Sequence, residues 1–512
     1  MVNTASDIER VSSLEERFER WRRRLGVVLG PLAALALYAA TSGLPAAERR
    51  LGAVLVLVIV FWVTEAIPIP ATALLGPALS VVLGVADARA VFRPFADPII
   101  FVFLGSFLLA RAMTVNGLDR RVALGVLGAR LIAGSPARIR LAVGATALLI
   151  SMWISNTATV AILFPIVVGL SDALERLFAA GGPALVRAGR SYATGLMLMT
   201  AYAASVGGLA TPVGTPPNLI GLGMLENLAR VNIPFFEWML VGLPVSLVMF
   251  ALLAWLLRFL HPAPRTAGLT GLDATLEQLR RGLPAWGRAQ VYTLAAFLTA
   301  VVLWVTPGAL ALARGAGDPL ARAVGECLDE GVAAVLAASL LFLLPVEWTP
   351  PRGALGWADA VKIDWGTILL FGGGLSLGTL MYSTGLAERL ARGLVGAGGE
   401  PSLWGITAVA AAFAILITET TSNTAAASMV VPVAIAVATA AGVSPVPPAL
   451  GATLGSSLAF VLPVSTPPNA IVYGSGRVSL LAMMRAGALF DLLGFGVILL
   501  LLWLLCPLLG LL

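Results

Sequence analysis

Uncharged apolar stretches recur along the whole chain, and they constrain its fold more than any other feature of the sequence. The clearest of them, 492–512, contains no charged residue. About 20 apolar residues in a helix cross the roughly 30 Å of hydrocarbon in a bilayer. Only 12% of the residues are charged and the mean hydropathy is +0.93, whereas soluble domains carry about 25% charged residues. Because lipid offers no hydrogen bonds to backbone groups, the sequence predicts an all-α polytopic membrane protein.

The apolar stretches predict eleven membrane spans and two segments of a different kind. The segments 139–176 and 402–440 are too long for one crossing, and each is interrupted in its middle by Ser-Asn-Thr. We therefore predict that each folds as a re-entrant hairpin. The eleven predicted spans are 25–44, 51–67, 70–87, 98–116, 192–225, 236–260, 290–307, 330–345, 365–384, 447–475 and 485–511.

The arginines orient these spans, because cytoplasmic loops of membrane proteins carry an excess of positive residues. With a cytoplasmic N-terminus, the connections after the fourth and sixth spans are basic and cytoplasmic, whereas the one after the seventh is acidic and outside. The sequence thus predicts a multi-pass protein of the cell (inner) membrane. Residues 1–24 are predicted to form a cytoplasmic interfacial helix or tail, and 266–289 a cytoplasmic linker helix. The net charge of +6 follows from this bias, so no nucleic-acid partner is predicted.

The two hairpins belong to two inverted halves of the chain. Five crossings separate them, so the first is predicted to enter the membrane from the cytoplasm and the second from outside. Inverted repeats with interrupted helices are a recurring transporter architecture. We therefore assign scaffold helices and a first repeat to 25–265, and a second repeat to 290–512. Residues that match between the halves, at a shift of 267 or 268, are Gly105 with Gly373, Gly117 with Gly385, Leu118 with Leu386 and Ser155 with Ser422.

The interruptions in the hairpins are polar islands in apolar sequence, at 151–157 and 418–424. Irregular backbone in a bilayer must be buried in protein or line a wet cavity. Ser, Thr and Asn are good N-caps, so new helices are predicted to begin at Ala158 and Ala425. Such helix starts bind anions, while Asn, Ser and Thr oxygens and unpaired carbonyls suit sodium. The islands therefore predict an anion site beside cation sites.

Two proline-rich motifs accompany the islands, Thr-Pro-Val-Gly-Thr-Pro-Pro-Asn at 211–218 and Val-Ser-Thr-Pro-Pro-Asn at 464–469. Consecutive prolines remove amide donors and cannot continue a helix. The spans 192–225 and 447–475 are therefore predicted to be unwound in mid-membrane. One Ser-Asn-Thr is only a cap and one Pro-Pro is only a kink, but two copies of both, in the same order in two inverted halves, indicate a transport site.

The four motifs together resemble those of the divalent anion:sodium symporter family, the INDY-type sodium/dicarboxylate carriers, and the resemblance covers essentially the whole chain. It implies eleven spans with two opposed hairpins, a homodimer and elevator-type alternating access. It also implies sodium-coupled transport of C4 dicarboxylates such as succinate, malate and fumarate. A sodium-independent dicarboxylate exchanger and a sodium-coupled sulfate or citrate carrier are the alternatives within transporters.

The resemblance further implies which residues bind sodium and substrate. Glu419, the one acid of the islands, is expected to hold the second hairpin through hydrogen bonds, with proton coupling as the alternative. One sodium would be held by Ser151, Ser155, Asn156 and the carbonyl of Gly214, and the other by Thr418, the carbonyl of Thr421, Asn423 and the carbonyl of Ser465. The substrate would lie against Ser155, Asn156, Thr157, Thr215, Ser422, Asn423, Thr424, Thr466 and Pro467.

Other classes of function lack the residues that they need. The single histidine, His261, and the single lysine, Lys362, fall in loops, so the chain has no His-based triad, H-E-x-x-H zinc site or phosphate-binding loop. Cys327 and Cys506 are far apart in sequence and indicate neither a disulfide nor a thiolate metal site. An enzyme is therefore not predicted. A channel is disfavoured because hairpins that enter from both sides indicate alternating access.

Overall fold

The computed structural model describes residues 4–127, 135–179, 182–264, 283–315, 317–349, 351–398 and 402–512. Most of the predicted linker helix 266–289 lies outside these residues. Its described end is non-helical from 283 to 287, and the next helix begins at Arg288.

The described residues form 22 α-helices and one two-stranded antiparallel sheet. The first half contains α1 (Thr4–Ala40), α2 (Ala46–Thr64), α3 (Ile69–Val82), α4 (Ala88–Phe92), α5 (Pro98–Val115), α6 (Leu118–Leu127), α7 (Pro136–Ser151), α8 (Asn156–Ala179), α9 (Pro183–Gly207), α10 (Pro216–Met224) and α11 (Phe235–Leu260). The second half contains α12 (Arg288–Arg314), α13 (Pro319–Cys327), α14 (Glu330–Leu343), β1 (Pro345–Trp348), β2 (Pro351–Gly353), α15 (Trp357–Ala360), α16 (Trp365–Thr384), α17 (Leu386–Gly398), α18 (Leu403–Thr418), α19 (Asn423–Ala440), α20 (Val446–Gly455), α21 (Pro467–Tyr473) and α22 (Leu480–Leu508).

Eight of the described helices are long and apolar enough to cross a membrane. Three shorter apolar helices, α3, α14 and α18, accompany them. This content confirms the predicted class, an all-α polytopic membrane protein. The helices that qualify by length are α1, α5, α8, α11, α12, α16, α19 and α22.

Several predicted boundaries differ from the structure. Residues 4–24 of the predicted tail and residues 25–40 of the first predicted span form one continuous helix, α1, because no proline or glycine precedes Gly26 to end it. Helix α9 begins at Pro183 rather than at 192, since a proline fits the first turn of a helix. The β1–β2 hairpin was not predicted. It follows α14 where Pro345 ends that helix and a strand of only four residues begins.

Two glycines that match between the halves allow their helices to pack closely on neighbouring helices. A Cβ at Gly105 would lie 2.5 Å from the backbone of Ala334, where α5 packs on α14. A Cβ at Gly373 would lie 2.2 Å from the carbonyl oxygen of Ala73, where α16 packs on α3. Two residues that match in sequence therefore make the same kind of contact, each with a helix of the other half.

A second matched pair of glycines turns the chain after these helices. Gly117 and Gly385 have left-handed backbone, with φ of +64° and +85°, which glycine adopts without steric cost. Each is followed at once by a helix outside the eleven predicted spans, α6 and α17. The first residues of these helices, Leu118 and Leu386, are both buried.

The two hairpins each enclose a broken span of their own half. Helices α7 and α8 of the first hairpin both pack on α9, and α18 and α19 of the second both pack on α20. The helix that follows each break packs on the hairpin of the other half: α10 packs on α19 of the second hairpin, and α21 packs on α8 of the first. The breaks in all four elements are thereby brought to one place.

Candidate functional site

The first hairpin is broken at residues 152–155, which we call the first tip. Ser151 Oγ donates to Asn156 Oδ1 at 2.7 Å. Ser155 Oγ accepts the amide of Ala158 at 3.3 Å and so caps the new helix. That helix begins at Asn156, two residues before the predicted start at Ala158, because Ser155 itself occupies the cap.

The second hairpin is broken in the same way at residues 419–422, the second tip. Thr418 Oγ1 lies 2.8 Å from Asn423 Oδ1 and donates to the carbonyl of Ser456 at 2.7 Å. Ser422 Oγ accepts the amide of Ala425 at 3.2 Å. Here too the helix begins before the predicted Ala425, at Asn423. The serines of the two Ser-Asn-Thr sequences therefore make equivalent cap hydrogen bonds.

The broken spans contain the first loop, 208–215, and the second loop, 456–466, and one asparagine holds each of them. Asn218 Nδ2 donates to the carbonyls of Gly208 and Thr211, both at 2.8 Å. Asn469 Nδ2 donates to the carbonyls of Ala459 and Leu462, at 3.0 and 3.1 Å. In both loops the accepting carbonyls lie ten and seven residues before the asparagine. Both asparagines belong to the predicted proline-rich motifs, but no role is predicted for them from the sequence, and their position directly after Pro-Pro was the available signal.

The first tip packs directly on the first loop. A Cβ at Gly208 would lie 2.5 Å from Asn156 Oδ1, and a Cβ at Gly214 would lie 2.6 Å from the carbonyl oxygen of Gly208. Thr211 Oγ1 donates to the carbonyl of Met152 in the tip. Gly208 can therefore pack against Asn156, and Gly214 against Gly208, only because positions 208 and 214 lack a side chain.

Glu419 holds the second tip to the second loop. One carboxylate oxygen, Oε1, accepts the amide of Val461 at 3.0 Å, and the other, Oε2, accepts the hydroxyl of Ser465 at 2.7 Å. The same hydroxyl lies 2.9 Å from the carbonyl oxygen of Glu419. These bonds are of the structural kind expected for this residue.

The tips and loops surround one cavity of about 570 Å³. Among the residues proposed for sodium, Ser155, Asn156, Gly214, Asn423 and Ser465 line the cavity, whereas Ser151, Thr418 and Thr421 lie buried behind it. The helix starts of α8 and α19 face the cavity from opposite hairpins. All nine residues expected to contact substrate line it, namely Ser155, Asn156, Thr157, Thr215, Ser422, Asn423, Thr424, Thr466 and Pro467.

The chemistry of this wall is neutral and rich in oxygen. Hydroxyl, amide and carbonyl oxygens are suitable ligands for a hard monovalent cation. The starts of α8 and α19 add the partial positive charge of two helix dipoles, which favours an anion. The tips and loops can thus hold cations and an anion side by side without a lysine or arginine of their own.

Another part of the cavity wall comes from α3, from α5, from the segment before α16 and from α16 itself. It includes Arg111, Lys362 and Asp364. Arg111 Nη2 and Lys362 Nζ both contact Asp359 Oδ1, at 3.1 and 3.0 Å. No role is predicted from the sequence for Lys362, Arg111 or Asp359, because these residues are separated by up to 251 positions and only the fold brings them together.

Comparison with known proteins shows a family profile and several relatives to which this chain is similar. The family profile described as the sodium:sulfate symporter transmembrane region matches residues 19–512. The sodium-dependent dicarboxylate transporter SdcS of Staphylococcus saprophyticus is 33% identical over 448 residues, which cover 87% of this chain and 84% of the relative. The protein of the same name from Staphylococcus aureus strain USA300 is 32% identical over 487 residues, 94% of this chain and 91% of the relative.

Two solved transporters are similar in fold alone. The YdaH transporter of Alcanivorax borkumensis aligns with a TM-score of 0.50 at 15% identity, covering 84% of this chain and 88% of that one. MtrF of Neisseria gonorrhoeae aligns with a TM-score of 0.51 at 12% identity, covering 90% of this chain and 95% of that one.

Proposed function

The chain belongs to the sodium:sulfate symporter family of membrane transporters, the divalent anion:sodium symporters, and on that premise we propose that it couples sodium to the transport of C4 dicarboxylates such as succinate, malate and fumarate. Relatives described as sodium-dependent dicarboxylate transporters support this substrate class. The observation that carries the proposal is the single cavity in which both tips and both loops meet.

The two tips are proposed to bind one sodium each. Ser151, Ser155, Asn156 and the Gly214 carbonyl would hold the first. The second would be held by the corresponding set of the other half, which is Thr418, the Thr421 carbonyl, Asn423 and the Ser465 carbonyl. Asn156 Oδ1 and Asn423 Oδ1 are each oriented by a hydroxyl at 2.7 and 2.8 Å.

Sodium is proposed to bind before the dicarboxylate. A dianion loses strong hydration when it enters a narrow cavity, and two cations with two helix starts offset that cost. The two monovalent cations would balance one dianion, so the loaded site would carry no net charge. Transport with this stoichiometry is expected to be independent of the membrane potential.

The loaded hairpins and broken spans are proposed to move as one body in an elevator-type cycle. The cross-over packing of α10 on α19 and of α21 on α8 supports this, because it ties both hairpins to both broken spans. The remaining helices would form the scaffold and a homodimer interface. The N-terminus is proposed to be cytoplasmic, in the inner membrane.

Uptake into proteoliposomes tests the function. Purified protein is reconstituted, and radiolabelled succinate uptake is measured in sodium and in choline at equal ionic strength. We expect uptake only with sodium, unchanged when valinomycin and potassium impose a membrane potential. Uptake that is equal in choline would exclude sodium coupling, and strong acceleration by an inside-negative potential would exclude the two-sodium stoichiometry.

Two further measurements separate the alternatives. Sodium-independent counterflow, in which internal unlabelled succinate drives entry of label in choline, is the signature of an exchanger. Competition of succinate uptake by malate, fumarate, citrate and sulfate ranks the anions, and the cavity of about 570 Å³ has room for anions larger than a C4 dicarboxylate. We expect C4 dicarboxylates to compete best.

A further inference from the structure

The cavity is electrostatically asymmetric. Its tip and loop wall is built of neutral side chains, while all of the charged residues that line it, Arg111, Lys362 and Asp364, lie on the wall formed by α5 and the segment before α16. The proposed sodium and substrate ligands do not include any of these three. The charged wall therefore needs an explanation of its own.

The acid on this wall is already engaged elsewhere. Asp364 caps α16, since its oxygens accept the amide of Thr367 at 3.1 Å and the hydroxyl of Thr367 at 2.6 Å. The positive start of that helix offsets part of its charge. Asp364 is therefore engaged by Thr367, and within the part of the chain that the structure describes the ion pairs of Arg111 and Lys362 are with Asp359.

The two cations share a single carboxylate oxygen. Arg111 Nη2 lies 3.1 Å and Lys362 Nζ lies 3.0 Å from Asp359 Oδ1. Both lower the pKa of Asp359 from its ordinary value, through hydrogen bonds and charge, so this carboxylate stays ionised. One carboxylate cannot neutralise two cations, and the three side chains together carry one net positive charge.

This group also has unused capacity to donate hydrogen bonds. A guanidinium has five donors; Arg111 uses Nη2 on Asp359, and its side chain is 29% exposed. An ammonium has three donors, and the Lys362 side chain is 60% exposed. A planar guanidinium beside an ammonium suits the two oxygens of a carboxylate.

We propose that Arg111 and Lys362, held by Asp359, form an anion vestibule that receives one carboxylate of the substrate on its way between solution and the tips. This rests on the proposed dicarboxylate function and adds a subsite to it. The incoming carboxylate shares the two cations with Asp359 and is released when the tips, loaded with sodium, bind the dianion. Because Lys362 and Asp359 are partly exposed, their contribution depends on ionic strength.

Two charge variants with opposite expected signs test the vestibule. Lys362→Gln removes a cation, and Asp359→Asn leaves both cations without their shared acid. The KM for the dianion is measured in proteoliposomes at saturating sodium, at low ionic strength and again with added choline chloride. Lys362→Gln is expected to raise KM and Asp359→Asn to lower it. A change of about two- to five-fold is expected, which is the range for interactions between exposed charges.

A matched control separates the vestibule from a general effect of surface charge. Arg392 pairs with Glu388 on α17, is 73% exposed and does not line the cavity. Arg392→Gln also removes one cation from an ion pair and is expected to leave KM unchanged. Added salt is expected to bring Lys362→Gln and Asp359→Asn back toward the wild-type KM, because screening removes their charge effect.

The outcomes are distinct from those that test the transport function itself. The variants are compared with wild type on whichever anion the competition assay ranks first, so a substrate other than succinate leaves the comparison intact. The vestibule is wrong if the two variants shift KM in the same direction, if neither shifts it, or if Arg392→Gln shifts it equally. Sodium dependence is retained in all three variants if the sodium sites are confined to the hairpins and the two loops.

Discussion

The hydroxyl of Ser151 donates a hydrogen bond to Asn156 Oδ1 at 2.7 Å, across the four residues that separate the helices of the first hairpin. In the second hairpin Thr418 Oγ1 lies at the matching distance, 2.8 Å, from Asn423 Oδ1, and the carbonyl oxygen of Ser456 competes for its proton. A carbonyl oxygen has two lone pairs, so each amide oxygen that accepts this bond keeps a second lone pair for a cation. This shared geometry is the basis of the first prediction.

Asn156→Ala and Asn423→Ala are expected to weaken sodium binding while the protein still folds and dimerises. Removing one interaction with a charged group costs about 1.5–3 kcal/mol, which corresponds to about a ten- to hundred-fold loss of affinity. Sodium-dependent thermal stabilisation of the purified protein measures it. The control is Asn116→Ala, which loses two hydrogen bonds, to Thr293 and Ala354, outside the cavity. An equal loss of sodium affinity in that control would contradict the assignment.

Gly208→Ala is expected to abolish sodium-coupled uptake, although Gly208 is not itself a proposed ligand of sodium or substrate. The new Cβ would lie 2.5 Å from Asn156 Oδ1, so the first tip and the first loop must separate. Gly169→Ala, in α8 of the same hairpin, is the control, because no atom lies within 4 Å of its Cβ. That variant is expected to transport normally and to be stabilised by about 0.5–1 kcal/mol, as alanine is favoured over glycine in helices.

Glu419→Ala is expected to destabilise the second tip more than Glu419→Gln. Alanine leaves the Val461 amide without its acceptor, at about 1–3 kcal/mol if that group stays buried and unpaired, and leaves the Ser465 hydroxyl only the backbone carbonyl oxygen at position 419. Glutamine keeps one side-chain oxygen acceptor. Uptake is measured for both variants from pH 6 to 8. If Glu419 instead carried a coupled proton, glutamine would abolish the pH dependence of uptake and would be as inactive as alanine.

His261 is expected to make the protein less stable in acid. It ends α11, where burial lowers its pKa to about 4, with the positive charge of Arg140 acting in the same direction. An unfolded histidine has a pKa of about 6.5. The unfolded state therefore binds more protons between these values, and stability falls as pH falls from about 6.5 to 4. The melting temperatures of wild type and His261→Gln are expected to converge as the pH falls through this range. A difference in melting temperature that does not change with pH would contradict the assignment.

Two cysteine positions test the proposed orientation. Cys327 is exposed at the end of α13, in the connection predicted to lie outside, whereas Cys506 is buried. A membrane-impermeant maleimide is expected to label wild-type protein in intact cells. In a Cys327→Ser background, Arg352→Cys in the β1–β2 hairpin is expected to react only after permeabilisation. Labelling in the opposite pattern would invert the topology.

The sequence by itself determined the class of fold and the position of the breaks. Long uncharged stretches require helices, because lipid cannot satisfy free backbone groups. Pro216–Pro217 and Pro467–Pro468 exclude a continuous helix in their spans. Helix starts were predicted within two residues of Asn156 and Asn423, since capping depends on local side chains. Local chemistry was therefore sufficient for these features.

Only the tertiary structure decided which residues meet. Asn156 lies against Gly208 because α9 packs between the two helices of the first hairpin, and Asp359 pairs with Arg111 because α5 ends beside α15. These contacts depend on helix packing over long sequence separations, which composition and periodicity do not encode. The same is true of the second loop, where Ser465 reaches Glu419 from 46 residues away. The motifs thus indicated the chemistry of the site. Helix packing decided its geometry and brought the charged residues to its wall.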